Sequence, residues 1–213
     1  MIRFLAISLS LVFSLTSCSL KTTEGLRLID LNEVAKLNKV VENLYFSNPE
    51  IDYVYKAKIK VYNKNFGGIL IVKKTGLENH RVVFTTEFGS KLLDFQFDGD
   101  KFTKNFVVED LDKKFIINIL RDDFKLLITE KSDILEVFSS EVHNVFKTQS
   151  EERFNYYFFE KETGKLQNII NTTKRKEKVE VDFTSTQKEI ADIISIKHNN
   201  FKLTIDLEKF KKE

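Results

Sequence analysis

From Ile51 onward, apolar and polar positions alternate with a period of two. In "IDYVYKAKIKVY", Tyr53, Tyr55, Ala57, Ile59 and Val61 share one face, and Lys56, Lys58 and Lys60 share the other. That pattern predicts a half-buried antiparallel strand with one wet face. "GGILIVKK" predicts a second strand and "HRVVFTTE" a third, joined through Thr75-Gly76. "KLLDFQFDGDKFTKNFV" predicts two more around an Asp98-Gly99-Asp100 hairpin turn. Further along, "VHNVFKTQ", "RFNYYFFEK", "KLQNIINTT", "EKVEVDFTS", "DIISIKH" and "FKLTIDLEKF" read as strands. Turns such as Thr163-Gly164 and Asn199-Asn200 separate them.

The period lengthens to that of a helix in two places. Asp30-Leu31-Asn32-Glu33 has the form of a capping box. Leu31, Val34, Leu37, Val40, Val41 and Leu44 follow at helical spacing and predict a helix from about Leu31 to Tyr45, ended by Asn48-Pro49. The second helix follows Asp110, a plausible N-cap. There Leu111, Phe115, Ile116, Ile119, Leu120 and Phe124 line one side of about four turns. The expected fold is mainly β, with roughly ten or eleven antiparallel strands, one helix before them and one inserted.

The amino terminus does not fit that pattern. Met1-Ile2-Arg3 is a short basic start, and Phe4 to Leu15 is an apolar run of twelve residues. A bilayer span needs about 20, so the run fits the apolar region of a secretory signal peptide. Leu15-Thr16-Ser17-Cys18 follows at once and resembles the bacterial lipobox. That resemblance implies cleavage before Cys18 and lipid attachment to its thiol. Cys18 is the single cysteine, so no disulfide forms within the chain. The expected organisation is a signal peptide (1–17), a lipidated Cys with a tether (18–29) and one domain (30–213). The tether, read from its weak periodicity, would span on the order of 20 Å. Ser19 follows the anchor; it is not the Asp that retains lipoproteins at the inner membrane in some bacteria. The expected address is therefore the outer membrane; Ser19 does not set which side the domain faces, and the periplasmic side is the expectation taken.

Composition narrows the function classes. The net charge of +2 gives no argument for nucleic acid as a partner. His80, His143 and His198 lie far apart in polar runs and read as surface residues without metal-ligand spacing. No G-x-S-x-G, P-loop or G-x-G-x-x-G occurs, so no cofactor and no enzyme chemistry is expected. Asp122 and Asp123 are adjacent on the inserted helix and read as an exposed flank. Thr172 to Lys178, "TTKRKEK", is a small basic cluster. It reads as a solvated hairpin loop, and contact with anionic headgroups is the other reading.

One segment is more specific. "KKTGLENHRVVFTTEFGSKLLDF", Lys73 to Phe95, resembles the core motif of the LolB family of outer-membrane lipoproteins. Thr75-Gly76 matches that family's first turn. Arg81, Val82, Val83, Phe84 and Thr85 match its strand, Phe88-Gly89-Ser90 match a Leu-Gly-Ser turn, and Leu93 continues into the next strand. Glu87 replaces the family's Pro, Phe88 replaces its Leu, the family's tryptophans are absent, and little matches after about Phe97.

The resemblance implies an open antiparallel half-barrel covered by helices, with an apolar cavity for the acyl chains of lipoproteins. It implies delivery from a LolA-like periplasmic carrier and insertion into outer-membrane lipid, by a monomer. The implied cavity residues are Tyr55, Ala57, Ile59, Val61, Phe84, Phe95 and Phe97 on the sheet, with Phe115, Ile116, Ile119 and Leu120 on the helix. The implied membrane-contacting turn is Phe88-Gly89. Periodicity alone favours a fully packed sheet–helix core, which fits a protein-interaction or envelope-assembly module instead.

Overall fold

The computed structural model describes residues 20–30 and 39–210. Among these are fourteen strands: β1 (Arg27–Ile29), β2 (Val40–Glu42), β3 (Asp52–Val61), β4 (Lys64–Lys74), β5 (Asn79–Thr85), β6 (Lys91–Asp98), β7 (Lys101–Val107), β8 (Lys131–Ser139), β9 (His143–Ser150), β10 (Arg153–Glu160), β11 (Leu166–Thr172), β12 (Glu177–Thr184), β13 (Ile193–His198) and β14 (Leu203–Lys209). One helix, α1 (Lys114–Ile128), lies between β7 and β8.

All the pairings are antiparallel. Two meanders, β3 to β7 and β8 to β14, fuse into one open sheet because β14 returns to pair with β3, with Leu203 opposite Val61 and Leu207 opposite Ala57. The sheet therefore ends in β7 on one side and β8 on the other, with β1 and β2 both added to β8. α1 connects these two ends, so it must cross a face of the sheet. It crosses the face formed by the apolar positions of the alternating strands. On β3 these are Tyr53, Tyr55, Ala57, Ile59 and Val61, all buried, while Lys56, Lys58 and Lys60 are exposed.

α1 buries the stripe Ile116, Leu120, Phe124 and Leu127 against that face. Burying such side chains is worth about 1.5–3 kcal/mol each, and ring packing adds to it. Phe124 meets Phe95 edge-on at 6.2 Å between centroids. A single buried cluster, running from Val41 to Leu207, contains both the sheet face and this stripe.

The sequence expectations need correction at several points. Of the helix expected over 31–45, residues 31–38 lie outside the described residues. The remainder is not helical. Val40–Glu42 is strand β2, paired to β8, and Asn43 hydrogen-bonds both Leu127 O and Glu130 O. Two β-branched residues beside an open strand edge favour pairing over a helical turn. The expected tether is docked from Leu20 onward: Arg27–Ile29 extends the sheet, and Leu26 packs on the outer apolar cluster around Phe138, Val145 and Tyr156. Strand β8 has no counterpart in the sequence reading. Asp110 does not cap α1. It pairs with Lys64, and the helix starts at Lys114 after a turn over 108–113, with no side-chain cap.

The candidate site: the covered sheet face and the Phe88 turn

Phe88 occupies the middle of a three-residue hairpin loop. Thr86 N donates to Ser90 O at 2.8 Å, so Glu87, Phe88 and Gly89 form the loop between β5 and β6. Gly89 N donates to Thr86 O, and the Thr86 hydroxyl accepts from Ser90 N at 3.0 Å. A loop of this length places one residue in the left-handed region. Gly89 fills that role with φ 83°, which a residue without Cβ adopts at no steric cost. The loop geometry leaves Phe88 no surface to fold onto, and it is 98% exposed. It is therefore not a turn plug against the sheet edge.

The base of this loop is fixed by close packing. An added Cβ on Gly68 of β4 would stand 1.9 Å from Thr85 O. The neighbouring strand thus approaches the start of the turn more closely than any side chain allows. A bulge between Phe84 and Thr85 in the β5–β6 register sets the turn off from the regular ladder.

The structure brings most of the expected cavity residues together. Tyr55, Ala57, Ile59, Val61, Phe84, Phe95, Phe97, Ile116 and Leu120 belong to one buried cluster under α1. Their relative exposure runs from 0% to 4%, so in this state their surfaces are used in packing against each other. Ile119 is half-buried against the cluster. Phe115 departs from expectation. It is 44% exposed and packs edge-on against Phe201, because it stands in the first turn of α1, beside the β13–β14 turn. A cleft of about 490 Å³ lies elsewhere, over β10–β12, and is lined by His143, Phe158, Asn168, Ile170 and Asp182. None of the expected cavity residues borders it.

Polar groups hold α1 on the face it covers. Asp123 is buried and His198 Nε2 lies 2.9 Å from its Oδ2. Burial pushes the Asp123 carboxyl up, against the lowering effect of the His198 hydrogen bond. Lys125 Nζ donates to Gly99 O, and Asn43 Nδ2 donates to Leu127 O at 2.9 Å. Asp123 was expected on an exposed flank. It stands three residues after Leu120 and four before Leu127, which places it on the buried stripe, while Asp122 is exposed.

Of the histidines expected at the surface, His80 is buried, while His143 and His198 are half-buried. His80 is 2% exposed and its Nε2 lies 3.0 Å from Phe46 O, with its pKa lowered chiefly by burial. The His198 side chain packs against Asp123, and His143 lies 3.0 Å from Gln167 Oε1. Among the described residues, no group of three or more His, Cys, Asp or Glu side chains is placed to hold a metal ion. Cys18 lies outside the described residues. No helix among the described residues is long and apolar enough to cross a membrane.

No protein-family model matches the chain, and no curated protein matches it. One solved structure with a similar fold is a domain from Vibrio parahaemolyticus that carries the provisional description of an outer membrane lipoprotein-sorting protein. The two chains are 8% identical, the match covers 75% of this chain and 83% of that one, and the TM-score is 0.38. A likeness of this degree carries no argument about function.

Proposed function

We propose that this chain is a lipid-anchored outer-membrane protein that receives the acyl chains of lipoproteins beneath α1 and helps to pass them into the membrane. The observation that carries this reading is Phe88, a large aromatic side chain held 98% exposed on a three-residue loop with a rigid base. Such a tip enters a headgroup region and gains part of the roughly 1.5–3 kcal/mol of a fully buried Phe. That suffices for transient contact. Stable attachment falls to Cys18, since lasting anchorage takes two or more acyl chains.

The receiving surface in this reading is the aromatic-rich sheet face. One helix covers it, and the polar contacts of Asp123, Lys125 and Asn43 connect that helix to its surroundings. Acyl chains replace the stripe of α1 on that face, apolar surface for apolar surface. The exchange needs no covalent chemistry and no nucleotide. A LolA-like carrier supplies the cargo, and transfer runs down a gradient of affinity.

The near-complete burial of the same face favours a second reading, an envelope module with a filled core that binds other proteins. Depletion of the protein in its own cells separates the two. If it is an acceptor, other lipoproteins leave the outer-membrane fraction when membranes are separated by density. Unchanged lipoprotein distribution would sink the acceptor reading.

A further inference from the structure

The basic cluster of the β11–β12 hairpin stands where the described chain begins. Lys174, Arg175 and Lys176 form the exposed part of that turn. Thr173 builds it, accepting from Lys176 N at 3.2 Å on its hydroxyl and donating its own N–H to Lys176 O at 2.8 Å. The three cations are therefore not needed for the turn's geometry. Glu177, the next residue, accepts a hydrogen bond from the Thr22 hydroxyl at 2.7 Å. The amino-terminal segment thus joins the domain directly beside the cations.

The same end of the sheet carries other turns. Strand order β11-β12-β13-β14-β3-β4-β5-β6 puts the turns at 173–176, 199–202, 62–63 and 87–89 along one rim. Successive turns are two strands apart, about 10 Å. Lys202 and Phe201 lie on the second, Tyr62 (55% exposed, 4.8 Å from the Phe201 ring) on the third and Phe88 on the fourth. Carboxylates lie along this rim too: Glu177 beside the cations, Asp110 paired with Lys64 next to the third turn, Glu87 beside Phe88, and Glu151 and Glu152 at the β9–β10 turn.

The geometry points to a lipid-facing rim in which Lys174, Arg175 and Lys176 contact the anionic headgroups of the bilayer. The distance part of the inference rests on the anchor reading of Cys18. Cys18 is two residues from Leu20, so it lies at most about 7 Å of chain away. Thr22, which bonds Glu177, is four residues from Cys18, so an acylated Cys18 tethers this turn by at most about 14 Å of chain, within two Debye lengths of the headgroups at physiological salt. The chain's entry beside the cations and the aromatic tips further along the rim give two points of contact that fix how the domain faces the membrane.

The test uses the chain from Ser19 onward without acylation, which keeps the buried apolar cluster from Val41 to Leu207. It is floated with phosphatidylcholine vesicles, alone or mixed with phosphatidylglycerol, at high lipid concentration. Binding is expected only to the mixed vesicles, and molar salt abolishes it. Lys174→Gln/Arg175→Gln/Lys176→Gln lowers that binding about a hundredfold, from about 1 kcal/mol for each cation near the surface. Lys56→Gln/Lys58→Gln/Lys60→Gln removes equal charge from the outer face of β3 and leaves binding unchanged.

Four results would overturn the inference: no binding to mixed vesicles, equal binding to both kinds, equal loss in both triple variants, or displacement by inorganic phosphate at matched ionic strength. Each can occur whether or not acyl chains bind under α1, so this proposal and the acceptor reading fail separately.

Discussion

Arg81 grips Asp94 across β5 and β6 with two hydrogen bonds, Nε to Oδ1 at 3.0 Å and Nη2 to Oδ2 at 2.8 Å. Lys91, at the foot of the Phe88 loop, adds a third to Oδ2 at 2.7 Å, and Asn105 a fourth to Oδ1. The carboxylate is 1% exposed while the Arg81 side chain is 48% exposed. The hairpin that presents Phe88 is thus riveted on its outer face.

The Arg81 hydrogen bonds hold the Asp94 carboxyl well below its ordinary range, against the opposing effect of burial, and Lys91 and Asn105 reinforce the lowering. A depressed folded pKa means that the contribution is present above the unfolded value of 3.8 and lost as pH falls through the folded one. Urea unfolding should therefore show stability dropping as pH falls below about 4. Asp94→Asn should flatten that limb and cost about 1–3 kcal/mol at neutral pH. An unchanged acid limb in the variant would refute the assignment.

Gly68→Ala should destabilise the protein by about 1–3 kcal/mol, because its Cβ must displace backbone rather than a flexible side chain. The nearest atoms are Thr85 O, Thr85 C and Thr86 Cα. Gly67→Ala is the control: an added Cβ there meets nothing within 4 Å, and an effect within about ±0.5 kcal/mol is expected. Equal thermal shifts in the two variants would contradict the close approach.

How much of this was legible in the sequence varies with the element. The strands from β3 to β7 were readable because one face of each is wet, so Lys56, Lys58 and Lys60 mark the period. β8 was not. Its pattern, "KSDILEVFS", has half-exposed positions on both faces, and β1 and β2 pair only with its two ends. Asp123 was misread by considering its neighbour Asp122 rather than its stripe. A carboxylate three residues from Leu120 and four from Leu127 was the available signal. Its partner His198, 75 residues away, left none in the local pattern. The turn carrying Phe88 was legible as the break between the strands "HRVVFTTE" and "KLLDFQFDGD", and its membrane-contacting role came from the resemblance, but the exposure of the side chain required the loop geometry.

His198→Ala should destabilise by about 3–5 kcal/mol, since it strands a buried carboxylate. Burial raises the Asp123 pKa, so the folded state binds more protons than the unfolded one above 3.8. The contribution of Asp123 therefore declines as pH rises through that window. Asp123→Asn should remove the decline. Chemical denaturation across that pH range checks both, and a pH profile identical to that of the parent protein would refute the role of Asp123.

Phe88→Glu should leave stability within about ±0.5 kcal/mol, as for other exposed positions. Delivery of cargo to liposomes should fall, because a carboxylate resists entry into the interface, and Phe88→Leu should retain it. A melt lowered by several degrees in Phe88→Glu would make the side chain structural and remove it from the transfer step.

The central claim is that the face under α1 accepts acyl chains. Titration of the chain from Leu20 onward with a fluorescent fatty-acyl probe tests it most directly. The account predicts saturable binding, micromolar or weaker, because a receiving site must also release its cargo. Ile119→Lys, at the half-buried margin of α1, and Ala57→Phe, inside the face, should both weaken it, the first with the melt intact. Saturating probe that gives no binding to well-folded protein would contradict the claim.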